Sequence, residues 1–223
     1  MKRAVRLALV GGAALAMSLA LAACGGDDDG ADTSGNAGAE GKQGGKLTYL
    51  AASDIDYLDP GQTYYTFGYM VAYAVNRTLY SYKPEDSTTP VPDLADGQPE
   101  ISADNKTITV KIKKGIKYAP PVNREIKAAD IKYAFERAFS KSVPNGYAGA
   151  YLSSIDGAPA AGTSVIKDIP GITTPDDNTI VFNLTQPYAD FDYLMAFGTV
   201  APIPQAEDDG EDPGERRELQ RDD

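Results

Sequence analysis

Apolar side chains along this chain recur at two periods, and each period predicts its own kind of element. Ile131, Ala134, Phe135, Ala138 and Phe139 fall at offsets of 0, 3, 4, 7 and 8, a single stripe on a helix. Asp130 stands near its start, where a carboxylate suits the positive end of the helix dipole. A second helix is predicted over Thr66 to Leu79, with Phe67, Met70, Val71, Ala74, Val75 and Leu79 on a broad apolar face. The other period is two. Ile108, Val110 and Ile112 alternate with Thr107, Thr109 and Lys111, giving a strand with one buried and one wet face. Asp104-Asn105 supplies the turn to Ile101. The same kind of unit returns at Ile172 to Leu184. There Pro175-Asp176-Asp177-Asn178 leads into Ile180, Phe182 and Leu184, and the two hairpins suit one sheet. Lys46 to Ala51 has a strand pattern, Asp59-Pro60-Gly61 breaks the chain, and Pro84, Pro90 and Pro92 mark a long connection. Strands and helices mix irregularly, so the reading is a mixed α and β architecture with pairing between distant segments.

The beginning of the chain follows neither period. Lys2, Arg3 and Arg6 precede an apolar stretch from Leu7 to Leu21, and Leu21-Ala22-Ala23-Cys24 follows. A basic start, a short apolar core and small residues before a cut site describe a secretory signal over residues 1–23. The run is shorter than the roughly 20 residues a spanning helix needs; the competing reading is an uncleaved anchor. Residues 24–45 form an acidic, glycine-rich stretch with eight glycines between Gly25 and Gly45. It holds too little apolar surface to offset the entropy of ordering and reads as a flexible tether. Asp27-Asp28-Asp29 is read as solvated charge, not as a metal site.

Composition narrows the chemistry. The 223 residues carry a formal charge of −11, with 14 tyrosines, no tryptophan and no histidine. Such an acidic surface repels phosphate backbones, which argues against nucleic-acid binding. A Ser-His-Asp triad, a Cys-His pair and a His/Cys zinc site are excluded within the chain. Cys24 is the only cysteine, so no disulfide forms inside it. No phosphate-loop motif is present, and no cofactor is expected.

Several segments, in order, carry a family likeness. Gly44-Gly45-Lys46-Leu47-Thr48, Leu58-Asp59-Pro60, Val91-Pro92-Asp93-Leu94-Ala95, Ile116-Lys117-Tyr118 through Tyr133-Ala134-Phe135-Glu136-Arg137, Thr179-Ile180-Val181-Phe182 with Gln186-Pro187-Tyr188, and Ala201-Pro202-Ile203-Pro204 resemble the family 5 extracellular solute-binding proteins of ABC importers. Leu21-Ala22-Ala23-Cys24 likewise resembles the bacterial lipobox, where the Cys24 thiol would receive a diacylglycerol. Gly97-Gln98-Pro99 and Ala119-Pro120-Pro121-Val122-Asn123 depart from the family pattern.

The resemblance implies a periplasmic-binding-protein-like class II lobe with an inserted subdomain. Residues 46–204 would be the N-terminal part of the solute-binding domain, with 46–80 and 191–204 in the core lobe and 81–190 inserted. Family members run to roughly twice this length or more, the size of several domains, so the lobe is expected to be incomplete, its second lobe absent. Residues 205–223 hold nine acids, three arginines and one leucine and read as a disordered tail, consistent with a truncated product or a natural short form. The implied partners are a peptide or similar small solute, the permease subunits of an ABC transporter, and the extracytoplasmic face of the cell membrane through lipid on Cys24. By position, Tyr64, Tyr65 and Thr66 correspond to the segment lying against an extended ligand. A strand-like stretch can bond a peptide backbone without reading side chains. Packing on the core is the other use open to these tyrosines. Asp54, Asp56 and Asp59 are expected to cap turns. Three readings follow: a capture subunit of an importer, a chain of that family that does not bind because half of its cleft is missing, and a lipid-anchored hydrolase. The last is disfavoured by the missing histidine and nucleophile elbow.

Overall fold

The computed structural model describes residues 44–46, 48–162 and 165–206. The signal segment, Cys24, most of the tether and residues 207–223 lie outside the described residues. The folded unit begins at Tyr49.

Its centre is the stripe of period near four. Helix α2, Ala128–Arg137, buries Ile131, Ala134 and Phe135, and the turn beyond it buries Ala138 and Phe139. The Asp130 carboxylate accepts the Lys127 backbone N–H at 2.9 Å and holds Arg124 at 2.7 and 2.8 Å. The start of α2 is therefore both capped and charge-balanced. Against α2 stands a four-stranded antiparallel sheet in the order β3-β4-β6-β5. Strands β3 (Glu100–Ile101) and β4 (Thr107–Lys111) form one hairpin; β5 (Ile172–Asp176) and β6 (Thr179–Asn183) form the other. The two join through β4 and β6, with Ile108 opposite Phe182 and Val110 opposite Ile180. This register sets Ile108, Val110, Ile180 and Phe182 on one face, all buried, because the side-chain period of a strand is two. The Phe182 ring packs at 4.9 Å from Phe135 and 5.1 Å from Phe191. Burial of each such ring is worth roughly 1.5–3 kcal/mol.

Three expectations need correction. The proline-marked stretch is a hairpin and not a bare connection: β1 (Tyr80–Lys83) pairs with β2 (Asp86–Pro92). A two-stranded ribbon has a free edge on each strand, so Pro90 and Pro92 leave no interior ladder bond unmade. Residues 48–51 form no strand, and Leu50 is 88% exposed; no strand among the described residues pairs with them. Helix α1 spans only Thr66–Val75, and the face it turns inward is Gly68 and Ala72. Met70 and Val75 of the expected apolar face stand in water at 44% and 71% exposure, and Leu79 is buried beyond the helix end. Small residues let the helix backbone approach its neighbours closely, and this close approach overrides the broader apolar arc.

The short helix α3, Phe191–Leu194, and the single 3-10 turn at Gly198–Val200 close the fold. Phe191, Met195, Ala196 and Val200 enter the same core as Leu79, Ile131 and Phe135.

Candidate functional site

The turn before α1 is held from both ends by carboxylates. Asp56 accepts the Thr63 hydroxyl at 2.6 Å and the backbone N–H groups of Tyr57, Tyr64 and Tyr65 at 2.8, 2.5 and 3.1 Å. Burial alone would raise its pKa, but these donors outweigh it and hold the carboxyl down at about 2. Gly68 is required beneath this cap: a Cβ there would lie 1.8 Å from Thr63 Oγ1 and 2.5 Å from Asp56 Oδ1. Asp59 accepts the Gly61 N–H at 2.8 Å and pairs with Arg137 at the end of α2. Asp54 accepts the Ile55 N–H at 2.8 Å. All three carboxylates thus serve local backbone donors, as the turn reading anticipates.

The capped turn presents Tyr64, Tyr65 and Thr66. Tyr64 and Tyr65 are 57% and 59% exposed, and Thr66 is exposed as well. Their surroundings distinguish them. Tyr64 lies stacked on Tyr147, with ring centroids 4.8 Å apart and planes 19° from parallel. Gly146 permits this, since a Cβ there would meet the Tyr64 ring at 3.1 Å. Tyr147 is the hub of a wider group. It meets Tyr69 at 6.2 Å, Tyr151 at 5.9 Å and Phe197 edge-on at 4.8 Å, while Tyr69 lies 5.7 Å from Phe197 and 6.0 Å from Tyr73. Such offset and edge-on pairs are the favourable arrangements for aromatic quadrupoles. The Tyr69 hydroxyl is 3.2 Å from Thr199 Oγ1. Burial pushes the phenols of Tyr69, Tyr73, Tyr82 and Tyr147 above their ordinary pKa, so they remain neutral through the physiological range.

Tyr73, Tyr82, Tyr147, Tyr151, Tyr193 and Phe197 line a recess of about 230 Å³. A larger depression of about 990 Å³ lies where Lys111, Lys113 and Lys114 face Asp96, Asp176 and Asp177. It is a meeting of charged turns without aromatic walls, so the tyrosine recess is the better candidate for holding a ligand group. The structure brings Tyr64 together with the recess through Tyr147 and sets Tyr65 and Thr66 beside it in sequence. The parts that sequence reasoning missed are Tyr82, Tyr147, Tyr151, Tyr193 and Phe197. The high tyrosine count was the available signal, but their convergence depends on distant segments.

The fold is a mixed α and β lobe with exposed aromatic side chains at one ledge. The chain belongs to the bacterial extracellular solute-binding proteins of family 5, whose middle region matches residues 89–218. It is similar to the solved clavulanic acid biosynthesis oligopeptide binding protein 2, with 35% identity and a TM-score of 0.63 over 73% of this chain and 30% of that one. It is also similar to Listeria monocytogenes OppA bound to peptide, with 25% identity and a TM-score of 0.59 over 66% of this chain and 28% of that one. The dipeptide-binding protein of Escherichia coli is 32% identical over 120 residues, or 51% of this chain and 22% of that protein. The chain therefore spans under a third of the length of these relatives. Among the described residues no helix is long and apolar enough to cross a membrane.

Proposed function

We propose that this chain contributes ligand-contacting surface to the capture component of an ABC importer, one that takes up peptides outside the cytoplasm and delivers them to the permease without catalysing a reaction on them. The observation that carries this reading is the exposed Tyr64–Tyr65–Thr66 turn, rigidly capped by Asp56 and continuous with the tyrosine recess. The backbone N–H groups of Tyr64 and Tyr65 are already donated to Asp56. Contact with a peptide is therefore assigned to the two phenol rings and the Thr66 hydroxyl, and less to strand-like pairing. The names of the relatives, which speak of dipeptide and oligopeptide binding, support peptides as the ligand class. In this reading Cys24 carries the lipid that keeps the protein at the extracytoplasmic face, residues 46–80 and 191–204 belong to the core lobe, and 81–190 to the inserted subdomain.

Isothermal titration with di- to pentapeptides tests the reading, with Tyr64→Ala and Thr66→Ala expected to weaken binding. Heat of binding unchanged in both variants would remove this turn from the site. Mass spectrometry of the membrane fraction, against Cys24→Ser, tests the lipid. A second reading is favoured by the apolar side chains left in water, Leu50, Leu58, Met70 and Val75: the chain carries only one wall of the site and does not bind alone. Peptide binding by the isolated chain would overturn it.

A further inference from the structure

Three features set the tyrosine recess apart from an ordinary apolar dent. Its lining contains no lysine or arginine; it is walled by Tyr73, Tyr82, Tyr147, Tyr151, Tyr193 and Phe197, with aliphatic surface from Leu194 and Ala196. Its volume of about 230 Å³ falls below the ~300–1,000 Å³ of pockets that enclose whole small molecules, so it suits a single group of a larger ligand. Immediately before the lining residues Tyr193 and Leu194 in α3 stands Asp192, a partly buried carboxylate. Burial, with the Asp192 charge as a lesser cause, raises the phenols of Tyr82 in the recess wall and of Tyr80. The Asp192 carboxylate accepts the N–H of its own neighbour, Tyr193, at 3.0 Å, and among the described residues it makes no ion pair. Three other sheltered acids are matched by cations, Asp59 by Arg137, Asp130 by Arg124 and Glu136 by Lys132, and Asp56 is matched by four hydrogen-bond donors. A sheltered carboxylate without a cation is costly, and a bound cation relieves that cost.

We propose that this recess binds an organic cation, the ammonium or guanidinium of a basic side chain carried by a peptide, with the tyrosine faces surrounding the charge and the Asp192 carboxylate balancing it. The peptide part rests on the function proposed above; the cation part rests on the recess alone. Aromatic faces carry the negative side of the ring quadrupole and attract a cation within about 6 Å, more strongly where water is excluded. The neutral phenols do not compete for it as anions, and the acidic protein as a whole, at −11, favours its approach. A neutral aromatic or aliphatic group would also fill the space, but it would leave the Asp192 charge uncompensated.

Titration calorimetry on the full chain tests the assignment with Ala-Lys-Ala, Ala-Arg-Ala and Ala-norleucine-Ala, and with tetramethylammonium alone. The expected result is roughly tenfold tighter binding of the lysine and arginine peptides than of the norleucine peptide. That ratio should fall towards one in Asp192→Asn, which keeps an oxygen for the Tyr193 N–H. It should fall partway in Tyr151→Leu, which keeps apolar bulk but loses the ring face. Melting curves of both variants establish that they fold. Equal binding of all three peptides overturns the cation site while leaving peptide capture standing, and so does a preference that survives Asp192→Asn. If no peptide binds, Asp192-dependent binding of tetramethylammonium supports the cation site without the peptide reading. Absence of that binding as well overturns both.

Discussion

Asp59 and Arg137 lie 78 residues apart in sequence and form a two-point ion pair, Nη1 to Oδ1 at 3.0 Å and Nη2 to Oδ2 at 2.5 Å. Their side chains are 13% and 7% exposed. The pair fastens the turn ahead of α1 to the end of α2, and two further bonds run alongside it: Gln62 Nε2 donates to the Ser142 carbonyl at 3.0 Å, and Asn145 Nδ2 to the Gly61 carbonyl at 2.5 Å. The same clamp sets Tyr64 where it can stack on Tyr147.

Removing one partner of a buried pair leaves the other charge without compensation, at a cost of about 3–5 kcal/mol. Arg137→Met is therefore expected to lower unfolding free energy by about that amount, measured by urea denaturation. A loss below about 1 kcal/mol would place the pair in the class of surface bridges.

Gly68→Ala should disrupt the Asp56 cap, because the added methyl occupies the space of Thr63 Oγ1. Overpacking of this kind costs typically ~1–3 kcal/mol. The loss should shrink in the double variant Gly68→Ala, Thr63→Gly, which clears the nearest atom. Thermal melts of the three proteins check this, and equal losses in the single and double variants would contradict it.

The acid limb of stability should carry the Asp56 signature. Its carboxyl is held at about 2 in the fold against an ordinary 3.8. A depressed folded pKa contributes stability above the ordinary value, and that contribution is lost as pH falls from 3.8 towards about 2. The turn aspartates Asp86, Asp104 and Asp176 act in the same direction, each held down by hydrogen bonds to neighbouring groups. Glu136 and Asp192 are pushed up by burial and oppose it. Asp56→Asn should flatten the decline in that window. An unchanged acid limb in urea melts would show that the cap does not carry it.

Leu50, Leu58, Met70 and Val75 are 88%, 66%, 44% and 71% exposed. Exposed apolar side chains in such number favour association, so the isolated chain should sediment with concentration-dependent mass. The double variant Met70→Lys, Val75→Lys should reduce that association. A monodisperse monomer at high concentration would refute the expectation.

Where local pattern and tertiary demand agreed, the sequence was legible. The α2 stripe ending at Phe139, the alternation of Ile108 and Val110, and the turns at Asp104-Asn105 and Asp177-Asn178 are local matters of period and turn chemistry, and they stand where the pattern put them. The α1 face was misjudged because hydrophobicity counts Met70 and Val75 above Gly68, whereas close approach favours the residue without a side chain. The opening strand failed because a strand is defined by its partner, and residues 48–51 have none among those described.

Legible in the chain alone were the mixed architecture, the two hairpins of the four-stranded sheet, α2, the family likeness, and the exclusion of histidine- and disulfide-based chemistry within it. These follow from residue identity and from spacings of a few residues. Long-range packing alone brings Tyr64 of one segment, Tyr147 and Tyr151 of another and Phe197 of a third into one aromatic group, and leaves Asp192, next in the chain to Tyr193, without a cation among the described residues. Those relations are set by packing across more than a hundred residues, and no local periodicity encodes which faces will meet.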